Sequence, residues 1–226
     1  MTGPASPAAP EPGTDEFDAV VLAGGRAQRL GGADKGSVVV AGRALVDHAL
    51  AAVSGARSVV LVGPPSVARP GVATVQESPP FGGPVAGLAA GLAALPDPGP
   101  RTAPDRLVVV LACDVPGAVR VVPALVAAAL AAPAADGARL VGPDGAPQHL
   151  VAAYRRTALD AALAALPDGP RDVAVRRVVG GLDLVDVPDV DDAGADADTW
   201  DDVRRLDTRL AAGGSIGPSD HDRRTP

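Results

Sequence analysis

A cluster of glycines and cations near the start of the chain could bind a phosphate group. An apolar run at 19–22 ends abruptly. The glycines and cations that follow it are, in order, Gly24, Gly25, Arg26, Arg29, Gly31, Gly32 and Lys35. Glycines let backbone N–H groups approach an anion closely, and cations neutralise its charge. The order predicts a buried strand followed by a loop that wraps the polyphosphate of a nucleotide.

Spacing excludes two common nucleotide-binding loops. The phosphate loop of NTPases requires Gly-Lys followed by Ser or Thr, whereas Lys35 lies between Asp34 and Gly36. The dinucleotide fingerprint requires G-x-G-x-x-G, whereas the glycines here come in adjacent pairs. A glycine-rich surface turn with scattered charges remains the alternative interpretation.

A second candidate group is the carboxylate of Asp114, which follows an uninterrupted apolar run at 107–112. An apolar run of this length is typical of a central strand buried on both faces. A carboxylate at the end of such a strand is held rigidly at the edge where ligands bind, and Mg²⁺ prefers oxygen ligands of this kind. Alternatively, Asp114 only caps the turn before Pro116.

Two further segments carry acidic residues. Glu77 precedes a glycine-rich stretch in which Gly83 and Pro84 open a predicted helix, and the structural alternative is a plain tight turn with proline at the first helical position. Residues 190–203 are dense in carboxylates, among them Asp196 and Asp198. The alternative there is a solvated helix start in which Asp198 or Thr199 caps the helix.

Composition limits the function classes. The 226 residues are 47% hydrophobic but only 2% aromatic, which predicts a globular core of small aliphatic side chains. The net charge of −7 argues against a nucleic-acid surface. A single cysteine, Cys113, excludes an internal disulfide and a cysteine-rich zinc site. Without a secretory signal or an apolar run of roughly 20 residues, we expect a cytoplasmic protein without membrane contact.

Apolar runs alternate with alanine-rich segments of helical length, which predicts parallel strands joined by helical crossovers. The expected fold is a three-layer α/β/α sandwich with a mostly parallel, Rossmann-like central sheet. We expect a disordered leader at 1–16, one domain at 17–212 and a disordered tail at 213–226. Strands are predicted at 19–22, 37–40, 58–62, 72–76, 107–112, 148–153 and 184–187. Helices are predicted at 44–53, 84–95, 121–131, 157–166 and 199–211.

The segment L-A-G-G-x-x-x-R-L-G-x-x-x-K at 22–35 closely resembles the signature loop of nucleotidyltransferases with the sugar-nucleotide transferase type of fold. In its finer form, Ala23 to Gly36 is most similar to the molybdenum cofactor guanylyltransferases. The motif V-V-L-A-C-D-V-P at 109–116 also fits that family. The resemblance implies Mg²⁺-dependent transfer of GMP from GTP to the terminal phosphate of molybdenum-loaded molybdopterin, forming a molybdopterin guanine dinucleotide cofactor and pyrophosphate.

The resemblance also assigns roles to individual residues. Arg29, Lys35 and Asp114 would be catalytic, and Asp114 and Asp196 would bind the metal. The residues expected to bind the nucleotide are Leu22, Ala23, Gly24, Gly25, Arg26, Lys35, Glu77, Gly83, Pro84 and Asp114. Asp196 stands where the family usually has asparagine, and Trp200 where it usually has proline.

Three alternatives stay open at this point. The chain could use CTP on molybdopterin, guanylylate a small phosphorylated acid, or bind a nucleotide without catalysis. If it makes the dinucleotide cofactor, we also expect transient contact with a molybdoenzyme or its chaperone, which would receive the product.

Overall fold

The computed structural model describes residues 17–25, 34–97 and 105–213. Seven strands form one sheet in the order β5-β4-β1-β6-β8-β7-β9, and β2 and β3 form a separate antiparallel hairpin. The strands are β1 (Phe17–Leu22), β2 (Val39–Val40), β3 (Arg43–Ala44), β4 (Val59–Val62), β5 (Ala73–Val75), β6 (Leu107–Ala112), β7 (Gly137–Val141), β8 (Pro147–Arg155) and β9 (Leu184–Pro188).

The sheet is mostly parallel, as the alternation of strands and helices predicts. β5, β4, β1 and β6 run parallel, β8 is antiparallel to both β6 and β7, and β9 is parallel to β7. The helices are α1 (Leu45–Ala52), α2 (Pro84–Ala94), α3 (Val122–Ala131), α4 (Arg156–Ala164), α5 (Val175–Val179) and α6 (Trp200–Gly213).

Alternate side chains of the central strands enter two separate cores, one on each face of the sheet. Val21 of β1 packs with α1 and α3 in one core, whereas Val20 packs with α2, α4 and α5 in the other. A third, smaller core joins α6 to the β2–β3 hairpin. The expected three-layer α/β/α sandwich is therefore confirmed.

Sequence patterns were wrong or silent at several elements, among them the two-residue β3, whose Ala44 had been predicted to start a helix. The predicted strand at 37–40 is a 3-10 turn at Lys35–Ser37 followed by the two-residue β2. β7 was missed because Gly137 and Arg139 interrupt its apolar pattern, and α5 because five residues are too few to show a helical period. The expected disordered leader, and the tail from residue 214 onward, lie outside the described residues. No helix in the described part of the chain is long and apolar enough to cross a membrane.

One buried ion pair yields a stability prediction. Asp18 on β1 is 2% exposed, and its carboxylate accepts hydrogen bonds from Arg57 at 3.2 and 2.9 Å. Arg57→Met should lower the free energy of unfolding by about 3 kcal/mol, because it leaves the Asp18 carboxylate buried without its partner. Urea denaturation measures the change. The control Arg204→Met removes an exposed pair with Asp201 and should cost less than about 1 kcal/mol; equal losses would contradict the argument.

Candidate nucleotide-binding site

The carboxyl ends of β1, β4 and β6 open onto a cavity of about 430 Å³. After β1 the chain adds β4 and β5 on one side and then returns to place β6 on the other side, so the cavity lies where the strand order reverses. Ligands of open α/β sheets bind at this position. The cavity is lined by Leu22, Gly24, Gly25, Lys35, Val62, Glu77, Phe81, Gly83, Pro84, Gly87, Ala112, Cys113, Asp114 and Leu150.

Most residues predicted to bind the nucleotide meet in this cavity. Those that do are Leu22, Gly24, Gly25, Lys35, Glu77, Gly83, Pro84 and Asp114. Ala23 is different, because it is buried in the core on the α1 side and its N–H donates to the Val62 carbonyl at 2.7 Å. Arg26 and Arg29 lie outside the described residues, so their predicted contacts with the phosphates remain predictions.

The glycine loop leaves β1 with an unobstructed backbone. Gly25 has φ of +137°, which L side chains rarely adopt, and a Cβ there would meet nothing within 4 Å. Glycine is thus required at this position by conformation rather than by crowding. Gly24 and Gly25 therefore present bare peptide groups to the cavity, which suits the binding of an anion.

Lys35 brings together carboxylates from distant parts of the chain. The Lys35 Nζ atom lies 2.5 Å from Asp114 Oδ2 and 2.5 Å from Asp198 Oδ1. Burial lowers the pKa of Lys35, but the adjacent Asp114 and Asp198 carboxylates outweigh it and hold the pKa above its ordinary value. Lys35 is therefore a permanent cation in the wall of the cavity.

Asp198 reaches this position because the acidic segment is fastened to the sheet. The Ala197 N–H donates to the carbonyl of Asp114 at 2.9 Å. Upstream, a Cβ on Gly117 would clash with the Ala193 carbonyl oxygen, so glycine permits the two backbones to pass this closely. Downstream, α6 is capped as predicted by Thr199, whose N–H donates to Asp202 at 2.9 Å while its Oγ1 accepts from the Asp202 N–H at 3.2 Å.

Asp196, the residue predicted from the family motif to bind the metal, is exposed, whereas Asp198 is half-buried; neither residue is among those that line the cavity. Partial loss of hydration and the negative charges of Asp198 and Asp114 raise its pKa. Asp198, which the sequence suggested only as a helix cap, is instead in direct contact with Lys35. The available signal in the sequence was that Asp198 belongs to the same acidic motif, two residues after Asp196.

The loop between β5 and α2 forms another wall of the cavity. Glu77 Oε1 accepts a hydrogen bond from the Gly82 N–H at 3.3 Å, and Pro84 begins α2 as predicted. Sequence reasoning missed Phe81, whose side chain is 56% exposed although it lines the cavity. A bulky apolar residue between Pro80 and Gly82 was the available signal.

The cavity contains no activated nucleophile among the residues described. Cys113 is buried, and that burial raises the pKa of its thiol. A reactive cysteine requires the opposite shift. The arrangement therefore suits chemistry between bound substrates rather than a covalent enzyme intermediate.

The donor set fits a magnesium ion that is shared with a substrate. No cluster of three or more metal-binding side chains occurs among the described residues. Asp114 and Asp198, however, have oxygens within 2.5 Å of one nitrogen, so the same pair could contact one cation. Mg²⁺ is commonly held by one or two carboxylates, with phosphate oxygens and water completing its shell.

Comparisons with known proteins agree with this geometry. The sequence model of the MobA-like NTP transferase domain matches residues 19–185. Molybdenum cofactor guanylyltransferase of Acidiphilium cryptum is 35% identical over 165 residues, covering 71% of this chain and 77% of that protein. The protein of the same name from Shewanella amazonensis is 30% identical over 203 residues, covering 86% and 97%.

A solved structure shows the same fold. The crystal structure of molybdopterin-guanine dinucleotide biosynthesis protein A from Archaeoglobus fulgidus matches with a TM-score of 0.64 and 22% identity, over 87% of this chain and all of that one. The family match spans the glycine loop, Lys35 and Asp114 and ends before Asp198. On the sequence match, the fold and the cavity together, the chain belongs to the MobA-like NTP transferase family and is a nucleotidyltransferase.

Proposed function

We propose that the protein transfers GMP from GTP to the terminal phosphate of molybdenum-loaded molybdopterin. The products would be a molybdopterin guanine dinucleotide cofactor and pyrophosphate. The observation that carries the proposal is the position of Lys35, which lies between Asp114 and Asp198 in a cavity that the glycine loop also lines. The acceptor and the base follow from the names of the Acidiphilium and Shewanella relatives.

The residues of the site suit transfer between two phosphates. An acceptor phosphate oxygen attacks the α-phosphorus of GTP, and the bond to the β-phosphate oxygen breaks to release pyrophosphate. Such a reaction depends on positioning and on neutralising charge rather than on a protein nucleophile. Lys35 would stabilise the charge on the α-phosphate in the transition state, and the Gly24–Gly25 peptides would orient the triphosphate.

Mg²⁺ is the proposed cofactor, with Asp114 as its main protein ligand. When bound, the ion would neutralise phosphate charge and orient the reacting oxygens. Asp114 and Asp198 would hold it, and Lys35 would then turn from these carboxylates towards the nucleotide. Arg26 and Arg29 are proposed to bind the departing pyrophosphate, and the proposed location of the reaction is the cytoplasm.

Pyrophosphate release tests this proposal directly. The full-length protein is incubated with Mg²⁺, molybdenum-loaded molybdopterin and each of the four NTPs in turn. Release with GTP alone supports the proposal. Release with CTP alone would keep the chemistry and change the cofactor made, and GTP binding without any release would indicate a nucleotide-binding protein that is not catalytic.

The two aspartates of the acidic segment should differ in effect. Asp198→Ala should raise the Mg²⁺ concentration needed for half-maximal rate by at least about tenfold, a loss typical of a residue that supports a metal site. The matched variant Asp196→Ala should change it much less, because Asp198 contacts Lys35 directly whereas Asp196 is exposed. Initial rates across a magnesium titration measure both. A larger effect at Asp196 would instead favour the assignment made from the sequence motif.

A further inference from the structure

The Lys35 ammonium fills the space between the two carboxylates proposed to hold the metal. Its Nζ atom is 2.5 Å from Asp114 Oδ2 and 2.5 Å from Asp198 Oδ1. The contact is partly shielded from water, since the side chains of Lys35 and Asp114 are 17% and 16% exposed. Mg²⁺ binds oxygen ligands at about 2.1 Å, so an ion held by the same two oxygens would lie within a few ångströms of the lysine nitrogen.

Two cations share such a space only at a high energetic cost. Like charges a few ångströms apart repel, and the repulsion grows as water is excluded. The Lys35 ammonium and a metal ion therefore compete for Asp114 and Asp198. The metal can bind this pair only after the lysine side chain has moved to another anion.

The two carboxylates, in turn, need a cation between them. Asp114 lies two residues beyond β6 and Asp198 two residues before α6, and the Ala197 N–H fastens the second segment to the Asp114 carbonyl at 2.9 Å. Two carboxylates held this close repel each other unless a positive charge neutralises them. In the protein without metal, Lys35 supplies that charge and keeps the pair assembled.

The lysine side chain can leave without a change in the backbone beneath it. Lys35 opens a 3-10 turn in which the Ser37 N–H donates to the Asp34 carbonyl at 2.9 Å. Gly36 is buried in this turn, and a Cβ there would meet the Val67 side chain at 2.9 Å, so the turn is packed closely against its neighbours. Lysine carries its charge on a flexible stem. The ammonium can therefore swing while the turn stays in place.

A phosphate group in the cavity is the anion that can draw the lysine away. Lys35 lines the cavity together with Gly24 and Gly25, whose peptide groups suit an anion. A nucleotide phosphate bound at these glycines would offer the ammonium a new partner. The two carboxylates would then be free to bind a metal ion.

We propose that Lys35 is a stand-in for the metal in the nucleotide-free protein: its ammonium keeps Asp114 and Asp198 together and excludes free Mg²⁺ until a phosphate group draws it away. The inference rests on the proposed function only in assigning the metal to these carboxylates and a nucleotide to the cavity. Because coupling between two bound species is reciprocal, the lysine makes metal and nucleotide strengthen each other's binding.

Metal binding to the full chain without nucleotide tests this role directly. Mn²⁺ serves as the probe because it prefers the same oxygen ligands as Mg²⁺, and electron paramagnetic resonance measures the Mn²⁺ that stays free. Lys35→Met and Lys35→Gln should each bind Mn²⁺ at least about tenfold more tightly than the unmodified protein, a factor typical of coupling between two sites. The amide of Lys35→Gln can still donate hydrogen bonds to the carboxylates, which favours a folded variant.

Two controls show whether the gain belongs to this pair of carboxylates. Arg177→Met lowers the net charge by the same one unit, but Arg177 is exposed on α5 and lines a different cavity, so Mn²⁺ affinity should not change. Adding Asp198→Ala to Lys35→Met should remove the gain.

Thermal unfolding gives a second readout and shows whether each variant is folded. Without metal, Lys35→Met should have a lower Tm than the unmodified protein, because its two carboxylates are no longer neutralised. Mg²⁺ should raise the Tm of Lys35→Met, since a ligand that binds only the folded state stabilises it. The same Mg²⁺ concentration should leave the Tm of the unmodified protein nearly unchanged.

Equal Mn²⁺ affinity in Lys35→Met and the unmodified protein would overturn the inference, and so would an equal gain in Arg177→Met. Failure of the proposed function looks different, because the unmodified protein would then release no pyrophosphate with any NTP. The Mn²⁺ measurements involve neither nucleotide nor turnover, so a gain in Lys35→Met would uphold the inference even in that case.

Discussion

Asp114→Ala should abolish magnesium-dependent nucleotidyl transfer. Asp114 lies two residues beyond the end of β6, and its carboxylate is 2.5 Å from Lys35 Nζ at the cavity. The variant removes the proposed main ligand of the metal and also one of the two carboxylates in contact with Lys35. We expect the rate of pyrophosphate release to fall by at least about a thousandfold, since metal-based charge stabilisation supplies several kcal/mol in reactions of this type.

The control for this variant is Asp114→Asn. The amide keeps the size and one neutral oxygen but loses the charge, so a small residual activity that rises with Mg²⁺ concentration is expected. Thermal unfolding should show that both variants remain folded, because Asp114 is not part of either main core. Full activity of Asp114→Ala at ordinary Mg²⁺ concentration would exclude Asp114 as the metal ligand.

Lys35→Ala should reduce kcat by about a hundredfold to a thousandfold while GTP binding largely survives. A preorganised cation that interacts more strongly with the transition state than with the substrate contributes to kcat rather than to affinity. The glycine loop and the walls around Glu77 and Phe81 would continue to hold the nucleotide. Steady-state kinetics combined with direct GTP titration separate the two quantities.

Assays with excess Mg²⁺ should distinguish the loss of Lys35 from the loss of either of its two carboxylate partners. Excess Mg²⁺ should recover part of the activity of Asp114→Asn or Asp198→Ala, because a weakened site can still be filled. It should not recover Lys35→Ala, whose missing charge acts on the phosphate itself. Near-normal turnover of Lys35→Ala would refute the transition-state role.

The sequence predicted the parts of the site whose signals are local. An apolar run ending in Asp114 is sufficient to predict a buried strand with a carboxylate at its end, and paired glycines after β1 predict a phosphate loop. Both follow from backbone and burial preferences within a few residues. Of the predicted nucleotide-binding residues that the structure describes, all but Ala23 consequently line one cavity, and the side chain of Ala23 faces the core.

The parts that the sequence did not predict depend on long-range contacts. Asp198 contacts Lys35, which lies 163 residues earlier in the chain, and a local sequence pattern cannot predict a contact over that separation. The loop between β5 and α2 is likewise fixed from a distance, because Arg171 donates to the Pro79 carbonyl 92 residues earlier in the chain. β7 was overlooked for a related reason, since Gly137 and Arg139 make sense as strand residues only beside β8 and β9.

The small third core limits the temperature and the denaturant concentration at which the site stays assembled. It is formed by Val38, Val40, Leu45, Ala197, Val203 and Leu206. The packing of α6, and with it the position of Asp198, depends on this group, whereas Asp114 is positioned by β6 of the large central sheet. Regions with few buried contacts open before the whole molecule unfolds. Mild heat or denaturant would therefore separate Asp198 from Lys35 while the sheet is still intact, so inactivation would precede unfolding and be reversible.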